Sequence, residues 1–137
     1  MKIYLDANVF ILAALAHDAQ AGKAKEYIKR VILGEFDGFT SSLTVDEVVW
    51  SIWKETKNRI LAIEEGDKLL QFNNLRILAV DEKIMSLSLR FMHRYGHLKP
   101  RDAIHVAAAY DNGVFTIITE DADFERIKEI KRIAITL

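Results

Sequence analysis

The stretch that most narrows the fold is Val114-Phe115-Thr116-Ile117-Ile118-Thr119, rich in β-branched and apolar residues throughout. Such a run reads as a strand, and one with little polar alternation is a strand buried on both faces. Other short apolar segments share its character, over 3–5, 38–41, 75–80 and 133–136. Between them the hydrophobic period changes to that of helices. Helices are expected over 9–16, 23–33 with Gly34 just beyond, 44–57, 60–72, 82–95 and 103–110, with a short one over 123–127. In the third of these, Val45, Val48, Val49, Ile52 and Trp53 form the apolar face. Strands alternating with helices give an α/β class: a three-layer α/β/α sandwich around a central, mainly parallel sheet.

Composition narrows the function more by exclusion than by suggestion. The 137 residues suit one domain over 1–137, with a single proline and no linker-like tract. No apolar run approaches the roughly 18–20 residues needed to cross a bilayer, and an aspartate after only three apolar residues argues against a secretory signal. Cysteine is absent. That removes disulfides, thiolate zinc sites and cysteine nucleophiles together, and suits a reducing cytoplasm. The net charge of −1 gives no global attraction to a polyanion. Any nucleic-acid contact must come from local patches or from bound cations.

Ligands of open α/β sheets bind beyond the carboxyl ends of the strands. Acids cluster at those places. Asp6 ends the first strand, Glu47 falls in the first turn of the helix after the second, Asp102 follows Pro100 at a helix start, and Asp121 follows the 114–119 strand with Asp123 two residues later. Each has a structural explanation. Asp6 and Asp121 fit helix N-caps, Thr44-x-x-Glu47 fits a capping box, and Asp102 complements a helix dipole. Together, however, several carboxylates at one sheet edge repel one another unless cations lie between them. Mg²⁺ and Mn²⁺ want such hard oxygen donors, and a site of this kind can hydrolyse a phosphodiester.

The same residues resemble the PIN domain family, and within it the toxin nucleases of VapC type. Tyr4-Leu5-Asp6-Ala7-Asn8-Val9-Phe10 is similar to its opening motif, and Thr40-Ser41-Ser42-Leu43-Thr44-Val45-Asp46-Glu47-Val48 to its second. Lys99-Pro100-Arg101-Asp102-Ala103-Ile104-His105 resembles the third and most specific, and Ile118-Thr119-Glu120-Asp121-Ala122-Asp123-Phe124 the last. The resemblance implies Mg²⁺- or Mn²⁺-dependent cleavage of RNA. It assigns catalysis and metal binding to Asp6, Glu47, Asp102 and Asp121, with Asp123 as a fifth acid and Asn8 and Thr119 as supporting residues. It also implies a homodimer and a cognate antitoxin that holds the enzyme inactive. Glu120 departs from the motif and adds a charge that either perturbs metal number or points to solvent.

Other residues have competing readings. Trp50 and Lys54 share a face with Glu47, so Trp50 either stacks on a base or partner or packs ordinarily. His105, one turn after Asp102, reads as a satisfied, partly buried histidine, with a general base as the alternative. His93 and His97 read as surface residues, and Lys128, Lys131 and Arg132 as a solvated face. Lys99 and Arg101 are the better phosphate contacts. Two rival functions fit parts of the pattern. A non-catalytic RNA- or protein-binding module would keep the fold without the chemistry. A phosphatase of haloacid dehalogenase type would use Asp6, Thr40 or Ser41, Lys99 and Asp121, but Asn8 stands where it needs a second acid, and Glu47 and Asp102 stay idle.

Overall fold

A computed structural model describes residues 1–136; Leu137, the last residue of the expected domain, lies outside the described residues. The strands are β1 (Lys2–Leu5), β2 (Asp37–Ser41), β3 (Leu75–Leu78), β4 (Thr116–Ile118) and β5 (Lys131–Ile133). They form one sheet in the order β3-β2-β1-β4-β5, and every pairing is parallel. The helices are α1 (Ala7–Leu15), α2 (Ala19–Ile32), α3 (Ser42–Thr56), α4 (Arg59–Gln71), α5 (Glu82–Arg94) and α6 (Pro100–Asp111), with a 3₁₀ turn over Ala122–Arg126.

Strand periodicity divides the core into two layers. Tyr4, Phe39 and Ile117 face one side, where they pack with Phe91, Ile104 and Ala107 of α5 and α6. Ile3, Leu5 and Ile118 face the other, against Phe10, Ala24, Val48 and Leu69 of α1 to α4. The expected three-layer α/β/α architecture is therefore the observed one. Among the described residues no helix is long and apolar enough to cross a membrane.

Several boundaries differ from expectation, each for a local reason. Helix α3 opens at Ser42, not Thr44, because Ser41 leaves β2 in extended geometry and the chain enters the helix at once. Thr44 is fully buried, with its hydroxyl 2.7 Å from that of Thr40. It cannot cap, so the expected capping box does not form and Glu47 lies in the second turn. Helix α2 begins before residue 23 because the Asp18 side chain accepts from the Ala21 amide and starts it at Ala19. Strand β4 is shorter than 114–119, since the Val114 amide goes back to the Ala109 carbonyl. The last strand is displaced: the amides of Ile135 and Thr136 donate to the Glu120 carboxylate rather than to a neighbouring strand. Trp53, expected on the apolar face, is 40% exposed.

Candidate active site

The sheet order places β1 and β4 side by side, so their carboxyl ends bring Asp6 and the 119–123 segment together. Asp6 caps α1 by accepting from the Ala7 amide at 2.7 Å. Its second oxygen accepts from the Thr119 hydroxyl at 2.7 Å and, more distantly, from the Asn8 amide. Asn8 also donates to Thr119 at 3.0 Å, and Thr119 accepts from the Asp121 amide. Asn8 and Thr119 thus tie together the loops carrying Asp6 and Asp121. Asp121 accepts from the Asp123 amide and caps the 3₁₀ turn. The expected N-caps at Asp6 and Asp121 are present.

Two groups of candidate ligands result. Asp6, Glu47 and His105 offer atoms within 4.8 Å of one another, and so do Asp102, Asp121 and Asp123. Glu47 reaches in from α3, while Asp102 and His105 come from one face of α6. A groove of about 400 Å³ lined by Glu47, Lys99, Pro100, Arg101, Asp102 and Asp121 connects the groups. It adjoins a second hollow lined by Asp46, Glu47, Trp50, Ser51 and Arg101. Three of the five expected acids, Glu47, Asp102 and Asp121, line the groove, and Asp6 and Asp123 are grouped with them. Trp50, Lys99 and Arg101 are exposed along it.

The electrostatics register this crowding. Asp102 is pushed up from 3.8 to about 6, first by burial and then by the charges of Asp121, Asp6 and Asp123, with His105 opposing. His105 moves the other way from a buried imidazole. Burial disfavours its charge, yet Tyr4, the hydrogen bond to Glu47 and the charges of Asp6 and Glu47 raise its pKa well above 6.5. Its Nε2 lies 2.5 Å from Glu47 Oε1 and 3.5 Å from Asp6 Oδ1. Its Nδ1 lies 2.6 Å from the Tyr4 hydroxyl, which donates to Ser41 at 2.8 Å. With the Tyr4 proton on Ser41, Nδ1 carries its own proton and donates to the phenol oxygen. The expectation of a satisfied histidine holds, but it is fully rather than partly buried and its partners are site residues.

Several expectations need correction. Glu120 neither joins the acids nor faces open solvent. Its carboxylate accepts from Gln20, Ile135 and Thr136, and although burial would raise its pKa, these bonds hold it below the usual carboxylate value. Arg132 is not on a solvated face. It donates to the carbonyls of Thr119 and Glu120 at 3.1 and 2.8 Å and pairs with Glu125, clamping the loop that carries Asp121. His97 is half-buried and donates through Nε2 to the Asp123 carbonyl at 2.9 Å. Thr40 and Ser41, which a dehalogenase-type phosphatase would need at its phosphate, are fully buried. Thr40 lies 2.8 Å from the Leu5 carbonyl and Ser41 is bonded to Tyr4.

The PIN domain model matches residues 3–130, a span that contains all five acids. The chain belongs to the PIN domain family. Solved structures similar to this PIN domain include VapBC2 from Rickettsia felis bound to a promoter DNA fragment, at 15% identity over 98% of each chain with a TM-score of 0.76. VapC20 of Mycobacterium tuberculosis, a toxin that cleaves the sarcin-ricin loop, shares 18% identity over 89% of this chain and 92% of its own, with a TM-score of 0.73. FitAcB of Neisseria gonorrhoeae shares 19% identity over 97% of each chain, with a TM-score of 0.72. At these identities the likeness is one of fold. No curated protein matches the sequence.

Proposed function

We propose that this PIN domain is a Mg²⁺- or Mn²⁺-dependent endoribonuclease and the toxin of a toxin-antitoxin pair. The observation that carries the reading is the gathering of five acids into two adjacent groups, Asp6 with Glu47 and Asp102 with Asp121 and Asp123, along a groove lined by Glu47, Asp102 and Asp121. The donor set fits the ion. Its carboxylates are hard oxygen ligands, and Asp102, raised first by burial, is raised further by Asp121, Asp6 and Asp123, charges that a cation would offset. Asp102, Asp121 and Asp123 would hold a cation on one side, with Asp6 and Glu47 on the other.

When bound, the cation would serve as Lewis acid for phosphodiester hydrolysis. The chain's own residues supply the rest. Thr119 and Asn8 orient Asp6. Arg132 and His97 fix the backbone on either side of Asp121. Lys99 and Arg101 stand at the groove rim, where they offset the acidic crevice and contact substrate phosphates. Trp50 offers an exposed face for an unpaired base, the usual mode of recognising looped RNA.

The antitoxin belongs to the same reading, supported by likeness to the toxin-antitoxin complex from Klebsiella pneumoniae. A groove lined by Phe10, Ala14, Ile28, Leu69 and Phe72 and rimmed by Lys25 and Lys29 suits an amphipathic, acidic segment. A homodimer and a cytoplasmic location complete the proposal. The deciding experiment is cleavage of a mixed-sequence RNA with Mg²⁺ or Mn²⁺, with and without EDTA, beside Asp6→Asn and Asp102→Asn. Metal-dependent cleavage lost in both folded variants is the expected result. A folded, antitoxin-free protein inert over many RNAs with both ions would instead favour the non-catalytic binding module.

A further inference from the structure

Ser41, Tyr4 and His105 form a buried polar line through an otherwise apolar layer. Tyr4 and Ser41 have no solvent exposure and His105 has 1%. Around His105, helix α6 presents Ala103, Ile104, Val106, Ala107 and Ala108, so packing alone would be served by an aliphatic residue there. Phenylalanine would likewise fill the space of Tyr4. Buried polar groups are costly unless every one is satisfied, and among the described residues these side chains are satisfied by one another and by the carboxylates at the end of the line.

That end is Glu47. Its side chain is flexible and stands beside Asp6, a like charge that would push it outward. His105 Nε2 lies between the two, 2.5 Å from Glu47 and 3.5 Å from Asp6. The ring is in turn fixed at Nδ1 by Tyr4, two residues before Asp6 on the same strand edge. We propose that Tyr4 and His105 are positioning residues: the Ser41–Tyr4–His105 line holds the Glu47 carboxylate against Asp6, so that a divalent cation meets a preformed pair of ligands. The inference rests on the metal-dependent reading above and assigns a role to residues outside its acid set. Outer partners of metal ligands commonly set affinity by about 10- to 100-fold.

The test is Mn²⁺ binding, followed by the electron paramagnetic resonance of the free ion, on folded wild type, Tyr4→Phe, His105→Leu and His105→Gln. Tyr4→Phe keeps the volume and removes only the hydroxyl, and it carries the test if His105→Leu fails to fold. The expected result is weaker binding by about 10-fold in Tyr4→Phe and up to about 100-fold in His105→Leu. His105→Gln, whose amide can still donate to Glu47, should recover part of the loss. In a Glu47→Gln background, Tyr4→Phe should have almost no further effect, because its influence passes through Glu47. Wild-type affinity in both Tyr4→Phe and His105→Gln would overturn the inference, as would equal losses in His105→Gln and His105→Leu beside a normal Tyr4→Phe, which would make His105 itself a ligand. A wild type that binds no Mn²⁺ would remove the metal-dependent reading, and this inference with it.

Discussion

Thr119 donates a 2.7 Å hydrogen bond to Oδ2 of Asp6 across 113 positions of sequence, and both residues are buried. The same hydroxyl accepts from Asn8 and from the Asp121 amide. One small side chain therefore sets the position of two carboxylates on neighbouring strand ends. Replacing it by valine keeps the volume and leaves Asp6 without its shortest side-chain donor. Thr119→Val should cost about 1–3 kcal/mol of stability and weaken Mn²⁺ binding by about 10-fold or more. Thr119→Ser should retain most of both. Chemical denaturation with a parallel Mn²⁺ titration checks this, and equal behaviour of the two variants would refute it.

Asp102 provides a pH dependence with a definite sign. Its folded-state pKa of about 6 lies above the ordinary 3.8, burial being the largest cause and Asp121 the next. Between those values the native protein keeps a proton that the unfolded chain has released. This group's contribution therefore falls as pH rises through the window and levels off above about 6. In EDTA, Asp102→Asn should lose that part of the decline and be more stable than wild type at neutral pH. With metal the order reverses, because the proton competes with the cation and wild-type affinity should drop below about pH 6. Thermal melts across the window, with and without Mn²⁺, distinguish the two; an unchanged slope in Asp102→Asn would refute the assignment.

Trp50 is 52% exposed, touches Trp53 edge-on and lines the hollow next to Glu47 and Arg101. If it stacks on substrate bases, Trp50→Ala should raise KM for RNA by about 10-fold, since stacking contributes on the order of 1–3 kcal/mol per base. Its kcat should change little. A fall in kcat with unchanged KM, or a changed oligomeric state by light scattering, would place Trp50 in a different role.

Gly38 tests the packing beneath the site. A Cβ built there would lie 2.3 Å from Val31 Cγ1 and 2.8 Å from its Cγ2, so α2 rests directly on β2 at this point. Gly38→Ala should destabilise the fold by about 1–3 kcal/mol through overpacking. Combining it with Val31→Ala should cost less than the sum of the two single changes. Strict additivity in urea denaturation would contradict the contact.

What was legible in the sequence followed the range of the interactions. Asp6, Asp102 and Asp121 could be placed because their positions depend on local geometry: a strand end, the first turn after Pro100 and a cap. Glu47 is in the expected helix but one turn later than expected. The capping box that was its structural alternative is absent, and the residue enters the crevice from the second turn, not the first, because α3 starts at Ser42. Of the residues around the acids, the resemblance names Asn8 and Thr119 but not Tyr4 or Arg132. Tyr4 looked like one apolar member of a strand, and Arg132 like one cation in a surface cluster. Their partners, His105 and the Thr119 and Glu120 carbonyls, lie on other elements. The β4–β5 pairing brings Arg132 to Thr119 and Glu120, and the packing of α6 on the sheet brings His105 to Tyr4, and no local pattern encodes either.

That pairing also orders events in time. β1 is synthesised before β4, its neighbour on the side of Asp121, and β4 is itself completed by β5 over Lys131–Ile133. Parallel partners so far apart in sequence close late in folding. A chain truncated before Thr116 lacks Thr119, Asp121 and Asp123, and should show no tight Mn²⁺ binding in the same titration. During translation the nascent protein would thus carry Asp6 and Glu47 without the rest of their cluster. On the nuclease reading the chain is disarmed until β4 and β5 have been made, which leaves a protective partner time to be waiting when they dock.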